Sequence, residues 1–464
     1  MTEPAVQFKH DARRLSADLR HRQIILTAMG NYEVARDQRK GAFQDWQSAR
    51  QMAAETKWDA INHLDRHLEQ LVRNLEARGT KVHWAATDQQ ARDIILGILR
   101  AKKARIIVKS KAMTSEEIHL NEAMEQAGYE VVESDLGEFI VQLREEPPYH
   151  IVFPAMHLTR DDIKDVFQRK LGDAPSNNPE ELTMVARRVL REKYLQADVG
   201  ITGANFAIAE TGMLSITENE GNARLTAALS RTMITLLGIE KVLPRLEDLA
   251  LFLPMLAAMG TGQAITCYNT LYGGPRQPGE SDGPGEYHVV LLDNHRTALL
   301  ADAEQRDSLH CIRCGACLNA CPIFRNVGGH TYGTTYCGPI GAVITPNLRG
   351  LNEWRHLSYA SSLCGACTET CPVKINLHHH LLQNRRNASR RRPSWWQRIA
   401  FQVFAPVANK PALWALVTRM GRLGQKAHSL VKGGRLDPAY AWTKTRDLPP
   451  VAKQSFKEWW RARR

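Results

Sequence analysis

Two runs of cysteine dominate the chemistry that this sequence can perform. The first run, CIRCGACLNACP, supplies Cys311, Cys314, Cys317 and Cys321. Its C-x2-C-x2-C-x3-C-P spacing is the one with which bacterial ferredoxins bind iron–sulfur clusters, and the fourth cysteine of such a run ligates the other cluster of a pair. The second run, CGACTETCP, has the same ending and supplies Cys364, Cys367 and Cys371. The spacing therefore predicts two [4Fe–4S] clusters that share ligands crosswise.

The crosswise rule divides these cysteines unequally. It assigns to the first cluster Cys311, Cys314, Cys317 and Cys371. It leaves the second cluster one ligand short, with Cys321, Cys364 and Cys367. In a symmetric pair the missing cysteine would stand where the sequence has Ser361. The alternatives are a remote thiolate from Cys337, a serine or water ligand, and a three-iron cluster. Cys337 could instead be a buried residue that binds no metal.

Other uses of cysteine fit the sequence less well. Structural zinc favours C-x2-C pairs separated by a longer loop, and one tetrahedral ion does not suit two such runs. Disulfides are disfavoured because the cysteines are close together in the chain and residues 1–14 lack the apolar segment of a secretory signal. The most apolar run, residues 249–259, is too short to span a bilayer. We therefore expect a cytoplasmic protein.

Positive charge is concentrated towards the end of the chain. The net charge is +12, but residues 385–464 hold 19 Lys and Arg against three acidic residues, so residues 1–384 carry a net charge of −4. Six of the ten tryptophans lie beyond residue 390. A basic helix with tryptophan on its apolar side can lie on an anionic membrane surface or dock on an acidic partner. Nucleic-acid binding by the rest of the protein is not indicated.

Residues 1–78 are predicted to be helical. Apolar residues recur at intervals of three and four between positions 58 and 78, and Gly79 would end this amphipathic helix. His63 and His67 lie four residues apart on it, and we interpret both as solvent-facing because no third metal ligand follows in a motif.

Residues 79–298 alternate strands with helices, which predicts an α/β domain with a largely parallel sheet. The predicted strands are residues 104–110, 129–134, 138–143, 150–153, 197–202, 213–217, 232–237 and 263–269. Thr114 and Glu117 are predicted to form a capping box that opens a helix.

Two polar segments of this domain are candidate binding sites. Lys109 and Lys111 precede a predicted helix and would suit an anion such as a carboxylate or phosphate, with ordinary turn chemistry as the alternative. The segments GANFAIAETG and ENEGN contribute the acidic side chains Glu210, Glu218 and Glu220. The sequence contains no dinucleotide-binding, P-loop or haem-attachment motif.

Taken together, these segments resemble the lactate utilization protein B family. The resemblance covers nearly the whole chain through VKSKAMTSEEIHLN, SDLGEFIVQL, ANFAIAETG, ENEGN, GGHTYG, GPIGAVITP, YASSLCGACTETCPVKI and RDLPPVAKQSFKEWW. It implies that the α/β part is a LUD domain, similar in fold to the sugar-isomerase (NagB/RpiA) and CoA-transferase group. It also implies that the seven cysteines of the two runs ligate the clusters, and that Cys337 lies where relatives often lack cysteine.

Four regions follow from this interpretation. They are N-terminal helices at 1–78, the LUD α/β domain at 79–298, an α-helical ferredoxin-type domain with two clusters at 299–384 and a helical basic tail at 385–464. The resemblance implies an iron–sulfur electron-transfer subunit of a complex that oxidises L-lactate to pyruvate and passes electrons toward the respiratory chain. The implied partners are a cysteine-rich protein and a smaller LUD protein.

A second class of function stays open at this point. The LUD domain itself could bind and oxidise a hydroxy acid, or the chain could serve another 2-hydroxy-acid dehydrogenase or a quinone reductase. The lack of a nucleotide motif favours the electron-transfer role, whereas the acidic segments keep the enzymatic one open. No residue is predicted to be catalytic. The expected location is the cytoplasm, with peripheral contact at the inner face of the membrane through the basic tail as a further expectation.

Overall fold

A computed structural model describes residues 2–173, 175–391, 395–431, 437, 439–443 and 446–463. The chain forms two compact units, residues 1–388 and residues 389–464. The first unit contains the N-terminal helices, the α/β domain and both cysteine runs, and the second contains the basic tail.

Four helices form the N-terminal region: α1 Glu3–Ala17, α2 Leu19–Lys40, α3 Trp46–Asn62 and α4 Leu64–Glu76. The helix predicted over 58–78 is broken at His63, whose backbone leaves the helical conformation at φ −119° and ψ 36°. The leucines of α4 are buried against the α/β domain. His67 lies on this buried side with 8% exposure, and its Nε2 is 3.3 Å from Oδ2 of Asp59. The prediction that His67 faces solvent is therefore wrong.

The α/β domain contains ten strands: β1 Lys81–Ala85, β2 Ile106–Lys109, β3 Glu130–Glu133, β4 Val199–Thr202, β5 Phe206–Ile208, β6 Met213–Glu218, β7 Thr232–Gly238, β8 Val242–Leu243, β9 Tyr268–Tyr272 and β10 Glu286–Leu292. Six of them form a sheet in the order β1-β10-β7-β4-β2-β3, and all neighbours in it are parallel. The other four form a mixed sheet in the order β8-β5-β6-β9. The predicted α/β domain with a largely parallel sheet is confirmed.

The large sheet is buried on both faces. Ile234 and Val290 belong to one apolar cluster, and their sequence neighbours Met233 and Val289 belong to another. Successive strand residues point to opposite faces, so both faces are covered, as is typical of parallel sheets. The helices of this domain are α5 Asp88–Ala101, α6 Met113–Glu117, α7 Leu120–Gln126, α8 Leu136–Leu143, α9 Arg160–Leu171, α10 Pro179–Gln196, α11 Asn222–Leu229, α12 Leu249–Thr261 and α13 Arg296–Ala301.

Three of the predicted strands are wrong or largely wrong. Residues 138–143 belong to helix α8, because the side chain of Asp135 accepts a hydrogen bond from the Glu138 backbone N–H and caps the helix. Residues 150–153 form turns, since the ring of His150 accepts from the backbone N–H groups of Val152 and Phe153. Of residues 263–269, only the last two lie in a strand, β9.

The predicted capping box at Thr114 and Glu117 is also wrong. Helix α6 begins two residues earlier than predicted, with Ala112 and not Thr114 at the N-cap position, and no side chain caps it. The carboxylate of Glu117 instead accepts hydrogen bonds from Arg296 at 2.9 and 2.7 Å. A long-range ion pair has replaced the local interaction that the sequence suggested.

The carboxyl ends of the six parallel strands lie along one edge of the sheet. The segments that follow β2, β4, β7 and β10 therefore meet there, although they are far apart in the chain. This is the edge at which open α/β sheets bind ligands. It carries the polar residues Ser110, Lys111, Asn205, Glu240, Lys241, Asn294 and Arg296.

The cysteine-rich part of the first unit is helical. Its helices are α14 Ala316–Asn319, α15 Pro322–Val327, α16 Gly338–Arg349, α17 Leu351–Tyr359, α18 Ala366–Thr370 and α19 Leu377–Arg391. Single 3₁₀ turns occur at Ile239–Lys241, Leu246–Asp248, Arg306–His310 and His330–Tyr332. Val343 of α16 and Leu318 of α14 share an apolar core with Met29 of α2 and Phe252 of α12. The cysteine runs are therefore anchored on both the N-terminal helices and the α/β domain.

The second unit contains α20 Trp395–Asn409, α21 Pro411–Val431, α22 Tyr440–Thr443 and α23 Phe456–Arg461. Several of its large apolar side chains are exposed, among them Trp395, Phe401 and Leu423. Among the helices in the described ranges, none combines the length and apolar content that crossing a membrane requires.

Candidate iron–sulfur site

The two cysteine runs fold into two similar turns. In each C-G-A-C segment a residue of left-handed conformation precedes the first cysteine: Arg313 with φ 62° in one and Leu363 with φ 57° in the other. The glycines, Gly315 and Gly365, have φ 76° and 83° and start the one-turn helices α14 and α18. These two helices pack against each other. The two runs are thus equivalent halves of a repeat, in which Cys314 corresponds to Cys364, Cys317 to Cys367 and Cys321 to Cys371.

Four thiols form a first group inside the protein. Burial raises the pKa of Cys314 and Cys317, and the nearby Cys311 and Cys371 add to both shifts. Burial raises the pKa of Cys371 to about 12, and Cys311 adds to this shift. Cys371 of the second run therefore lies near the cysteines of the first run, which agrees with the packing of α14 against α18.

Three thiols form a second group nearer the surface. Burial raises the pKa of Cys321, and the nearby Cys364 adds to this shift. Burial likewise raises the pKa of Cys367 to about 11, with contributions from Cys321 and Cys364. Cys364 itself is exposed. Cys367 also contributes to the raised pKa of Cys317, so the two groups are neighbours.

The surroundings of these sulfurs fit iron–sulfur clusters. The Arg313 backbone N–H donates to Sγ of Cys311 and the Ile375 N–H donates to Sγ of Cys371, both at 3.4 Å. Hydrogen bonds from backbone amides to cluster sulfurs are a regular feature of such sites. Thiols with raised pKa values are protonated at neutral pH unless a metal replaces the proton, and a coordinated thiol is a thiolate.

The arrangement fits neither a single zinc ion nor disulfides. Four sulfurs bound to one zinc ion at about 2.3 Å would lie within about 4 Å of one another. In the ranges that the structure describes, the groups of three potential ligand atoms within 4.8 Å of one another consist of His, Asp and Glu, and none includes a cysteine. All nine cysteines lie in described positions and are free of disulfide bonds.

Cys337 is set apart from both groups. It is 3% exposed, and its Sγ lies 3.9 Å from the backbone oxygen of Tyr149. Burial raises its pKa to about 12, and no other cysteine contributes to that shift. Its backbone caps the start of α16, where it packs in the apolar core. This placement resembles that of a small apolar residue.

Buried cations surround the first group. Arg50 donates to the backbone oxygen of Cys371 at 3.0 and 2.8 Å. Lys57 donates to the backbone oxygens of Glu240 and Val242, and burial lowers its pKa to about 7. Burial also lowers the pKa of Lys241 to about 8, and the nearby Cys311 acts on the pKa of both lysines in the opposite direction. Positive charge next to a cluster favours its more negative, reduced state.

A charge network joins the first cysteine run to the sheet edge. Arg296 is 1% exposed and bonds to Glu240 at 2.5 Å and to Glu117 at 2.7 Å. Glu240 also pairs with Arg313 at 3.2 Å, and Tyr336 donates its hydroxyl to Glu117 at 2.6 Å. Although burial opposes ionisation, Arg296 lowers the pKa of both carboxyls, that of Glu240 to about 2.

A cavity of about 320 Å³ lies where the cysteine run meets the sheet edge. Its wall includes Ser110 and Lys111 after β2, Asn205 after β4, Lys241 after β7, and Arg313 and Cys314 from the first run. Asp135, Glu218 and Glu220 add carboxyl groups. The two polar segments that the sequence suggested therefore contribute to one cavity, through Lys111, Glu218 and Glu220.

Two residues of those segments have other roles. Lys109 is fully buried and pairs with Glu133 at 2.7 Å and Glu116 at 3.0 Å, so it is not available to a bound anion. Glu210 accepts a hydrogen bond from the backbone N–H of Leu246 and does not line the cavity. The sequence interpretation missed Lys241 and Arg313. Only the position of Arg313 between two cluster cysteines hinted at a role in the site.

Three family models match successive parts of the chain. The LUD domain matches residues 68–292, a 4Fe–4S dicluster domain matches residues 307–375, and a model described as lactate utilisation protein B, C-terminal, matches residues 376–464. Both cysteine runs lie within the range that matches the dicluster domain. The cavity is lined by residues from this range and from the range that matches the LUD domain.

Similar proteins cover almost the full length of the chain. A lactate utilization protein B of Shouchella clausii is 43% identical over 448 residues, which is 95% of this chain and 94% of that protein. The Oceanobacillus iheyensis protein of the same name is 43% identical over 447 residues, 95% of this chain and 93% of its own. A crystal structure of a DUF162 family protein from Deinococcus radiodurans is 12% identical and matches 49% of this chain and 98% of that chain with a TM-score of 0.28.

Proposed function

The chain belongs to the lactate utilization protein B family and carries a 4Fe–4S dicluster domain, and on this premise we propose that it is the electron-transfer subunit of a complex oxidising L-lactate to pyruvate. The observation that carries the proposal is the packing of the two C-G-A-C turns against each other through α14 and α18, which brings the two cysteine runs together. When bound, [4Fe–4S] clusters accept and release electrons one at a time.

The thiol groups support a specific ligand assignment. The first cluster would be held by the inner group, Cys311, Cys314, Cys317 and Cys371. The second would be held by the outer group, Cys321, Cys364 and Cys367. Because Cys364 is exposed whereas Cys314 and Cys371 are buried, we assign the outer group to electron exchange with another protein. The cations around the inner group would favour the reduced state of the first cluster.

The proposal includes partners and a location. A cysteine-rich protein and a smaller LUD protein would supply lactate oxidation and electron transfer to the respiratory chain. The basic tail would dock on a partner at the inner face of the membrane, and its +16 charge and exposed tryptophans support such a contact. A fold of the NagB/RpiA and CoA-transferase type for the LUD domain also belongs to this proposal.

Anaerobic purification and reconstitution test the function. The isolated chain should be brown and contain about eight iron atoms, because two cubanes hold four each. L-lactate should bleach the visible absorption when the two partner proteins are present, and should leave it unchanged for the isolated chain. Bound zinc without visible absorption would contradict the metal assignment, and unbleached clusters in the complete assembly would contradict the electron-transfer role.

A further inference from the structure

Part of the wall of the cavity beside Cys314 is positively charged. Lys241 is 9% exposed, and within the described ranges its ammonium makes neither a hydrogen bond nor an ion pair. The Arg313 side chain is 9% exposed, and its buried Nη1 has no hydrogen-bond partner among the described residues. Glu240 and Glu117 are already matched by Arg296 and Arg313, so the charge of Lys241 is additional.

The remaining walls restrict what can satisfy these donors. Met113, Ile216 and Leu256 make part of the lining apolar, whereas Asp135, Glu218 and Glu220 place negative charge in it. A multiply charged anion would be repelled by the carboxyl groups. A small molecule with one carboxylate, a short apolar end and a polar group beside the carboxylate matches all three kinds of wall. A three-carbon acid occupies only part of a 320 Å³ cavity and leaves room for water.

We propose that this cavity binds a small 2-hydroxy or 2-oxo monocarboxylate, with its carboxylate on Lys241 and Arg313 next to the Cys314 turn. This rests on the proposed function, because it makes the lactate or pyruvate of that reaction the ligand. The site provides binding only, and the groups that oxidise lactate would belong to the partner proteins. The anion would offset the buried charge of Lys241, which otherwise lacks an ion-pair partner in the described ranges.

Calorimetry with L-lactate and with pyruvate on the anaerobic holoprotein tests the site. Lys241→Met should weaken binding about ten- to a hundredfold, as expected for the loss of a charged hydrogen bond. Lys57→Met is the matched control, because Lys57 is also a buried lysine near Cys311 but donates to backbone oxygens and does not line the cavity. It should leave the affinity within about twofold.

The outcomes separate this proposal from the proposed function. Absence of binding at millimolar acid, or equal weakening in both lysine variants, would overturn the site and show that these cations only balance the charge of the cluster. If the assembled complex still reduced its clusters with lactate in that case, the electron-transfer role would stand. Binding to the isolated chain without bleaching in the complete assembly would uphold the site and contradict the electron-transfer role.

A second inference concerns Ser361 and rests on the repeat of the two runs. The Arg313 backbone N–H donates to Sγ of Cys311, two residues before it, at 3.4 Å. At the equivalent place in the other run, the Leu363 backbone N–H donates to Oγ of Ser361, again two residues before it, at 3.1 Å. Arg313 and Leu363 have matching left-handed conformations. The serine oxygen therefore occupies the place that a cluster sulfur occupies in the first run.

We infer that Oγ of Ser361 is the fourth ligand of the second cluster. On binding, an iron–oxygen bond forms and the hydroxyl proton passes to solvent, which Ser361 reaches because it is half-buried. Arg385 fixes the segment, since its side chain donates to the backbone oxygens of Ser358 and Ser361. Cys337, the competing ligand, contacts the Tyr149 backbone instead.

Iron analysis and electron paramagnetic resonance of substituted proteins test this ligand. Ser361→Ala should lower the iron content from about eight to about seven per chain and give the spectrum of an oxidised three-iron cluster. Ser361→Cys should keep all iron, and Ser362→Ala, at the exposed neighbour, should change neither measurement. Full iron and an unchanged spectrum in Ser361→Ala would overturn the inference, as would the same loss of iron in Cys337→Ala instead.

Discussion

At the scale of single residues, Arg296 links the sheet edge to the first cysteine run. Its guanidinium bonds to Glu117 and Glu240, which in turn accept from Tyr336 and Arg313 of the cysteine-rich part. A buried ion network of this kind stabilises a fold only while every member is present. Removing Arg296 would leave two buried carboxylates with a single remaining arginine partner.

We therefore expect Arg296→Met to destabilise the protein by about 3–5 kcal/mol, the usual effect of leaving a buried charge unpaired. The measurement is thermal unfolding of the anaerobic holoprotein. Arg191→Met, at an exposed position of α10, is the control and should change stability by less than about 0.5 kcal/mol. A similar small change for both variants would contradict the structural role of the network.

Cys337 gives a second prediction at this scale. Cys337→Ala should keep the full iron content, because Cys337 lies apart from both thiol groups, and should cost about 1 kcal/mol for the small cavity left in the core. Cys364→Ala should lose the iron of the second cluster. Iron analysis and thermal unfolding of the two variants check this, and equal iron losses would show that Cys337 is a ligand.

At the scale of elements, an ion pair holds α19 to the turn before the first cysteine run. His380 of α19 is 2% exposed, and its Nε2 lies 2.7 Å from Oδ1 of Asp307 in the turn Arg306–His310. Burial lowers the pKa of His380, but the close contact with the Asp307 carboxylate outweighs burial and raises the pKa above its usual value. The pKa of Asp307 is lowered, because His380 outweighs the effect of burial.

This pair predicts a pH dependence with a defined sign. His380 binds its proton more tightly in the folded protein, so its stabilisation is complete below the unfolded pKa of about 6.5 and is lost as pH rises through the raised folded value. The difference in stability between wild type and His380→Gln should therefore shrink from about 1 kcal/mol at pH 6 as pH rises. Thermal unfolding at several pH values measures it, and a difference that grows with pH would contradict the pairing.

Some elements could be predicted from local sequence alone, and others could not. Residues 104–110 contain an apolar run that is typical of a buried strand, and β2 is found there. Residues 138–143 are equally apolar, yet Leu136, Phe139, Ile140 and Leu143 also follow helical spacing, and the cap at Asp135 decides for a helix. In the turn at 150–153, the His150 ring accepts the backbone hydrogen bonds that a neighbouring strand would otherwise accept. No sequence pattern predicts this arrangement.

At the scale of the molecule, the cysteine ligands could be predicted from the sequence, whereas the cavity could not. Cluster ligands are close in the chain, so their spacing carries the information that predicts them. Lys111, Lys241 and Arg313 are far apart in the chain and meet only because parallel strands end at one edge and the first cysteine run packs there. Such a site requires the strand order, which the sequence pattern does not specify.

The compact first unit extends to Ala388, so the tail can be removed with little effect on the clusters. The cut must leave Arg385 and Arg386 in place, because Arg385 holds the Ser361 segment and Arg386 pairs with Glu304. Truncation after Ala388 should therefore keep full iron content. It removes 17 Lys and Arg and three acidic residues, a net charge of +14. Partner binding should therefore weaken and lose its salt dependence, which arises from screening over about 8 Å at physiological ionic strength.

Sedimentation of the full and truncated chains with the partner proteins, at low and high salt, measures this effect. Flotation of the full chain with anionic and neutral vesicles identifies the surface to which the tail binds. Salt-sensitive flotation with anionic vesicles alone would assign the tail to the membrane, whereas salt-sensitive association with the partners without flotation would assign it to subunit docking. If the truncated chain bound its partners as tightly as the full chain and the full chain ignored both kinds of vesicle, the tail would have neither role, and its charge would serve only solubility.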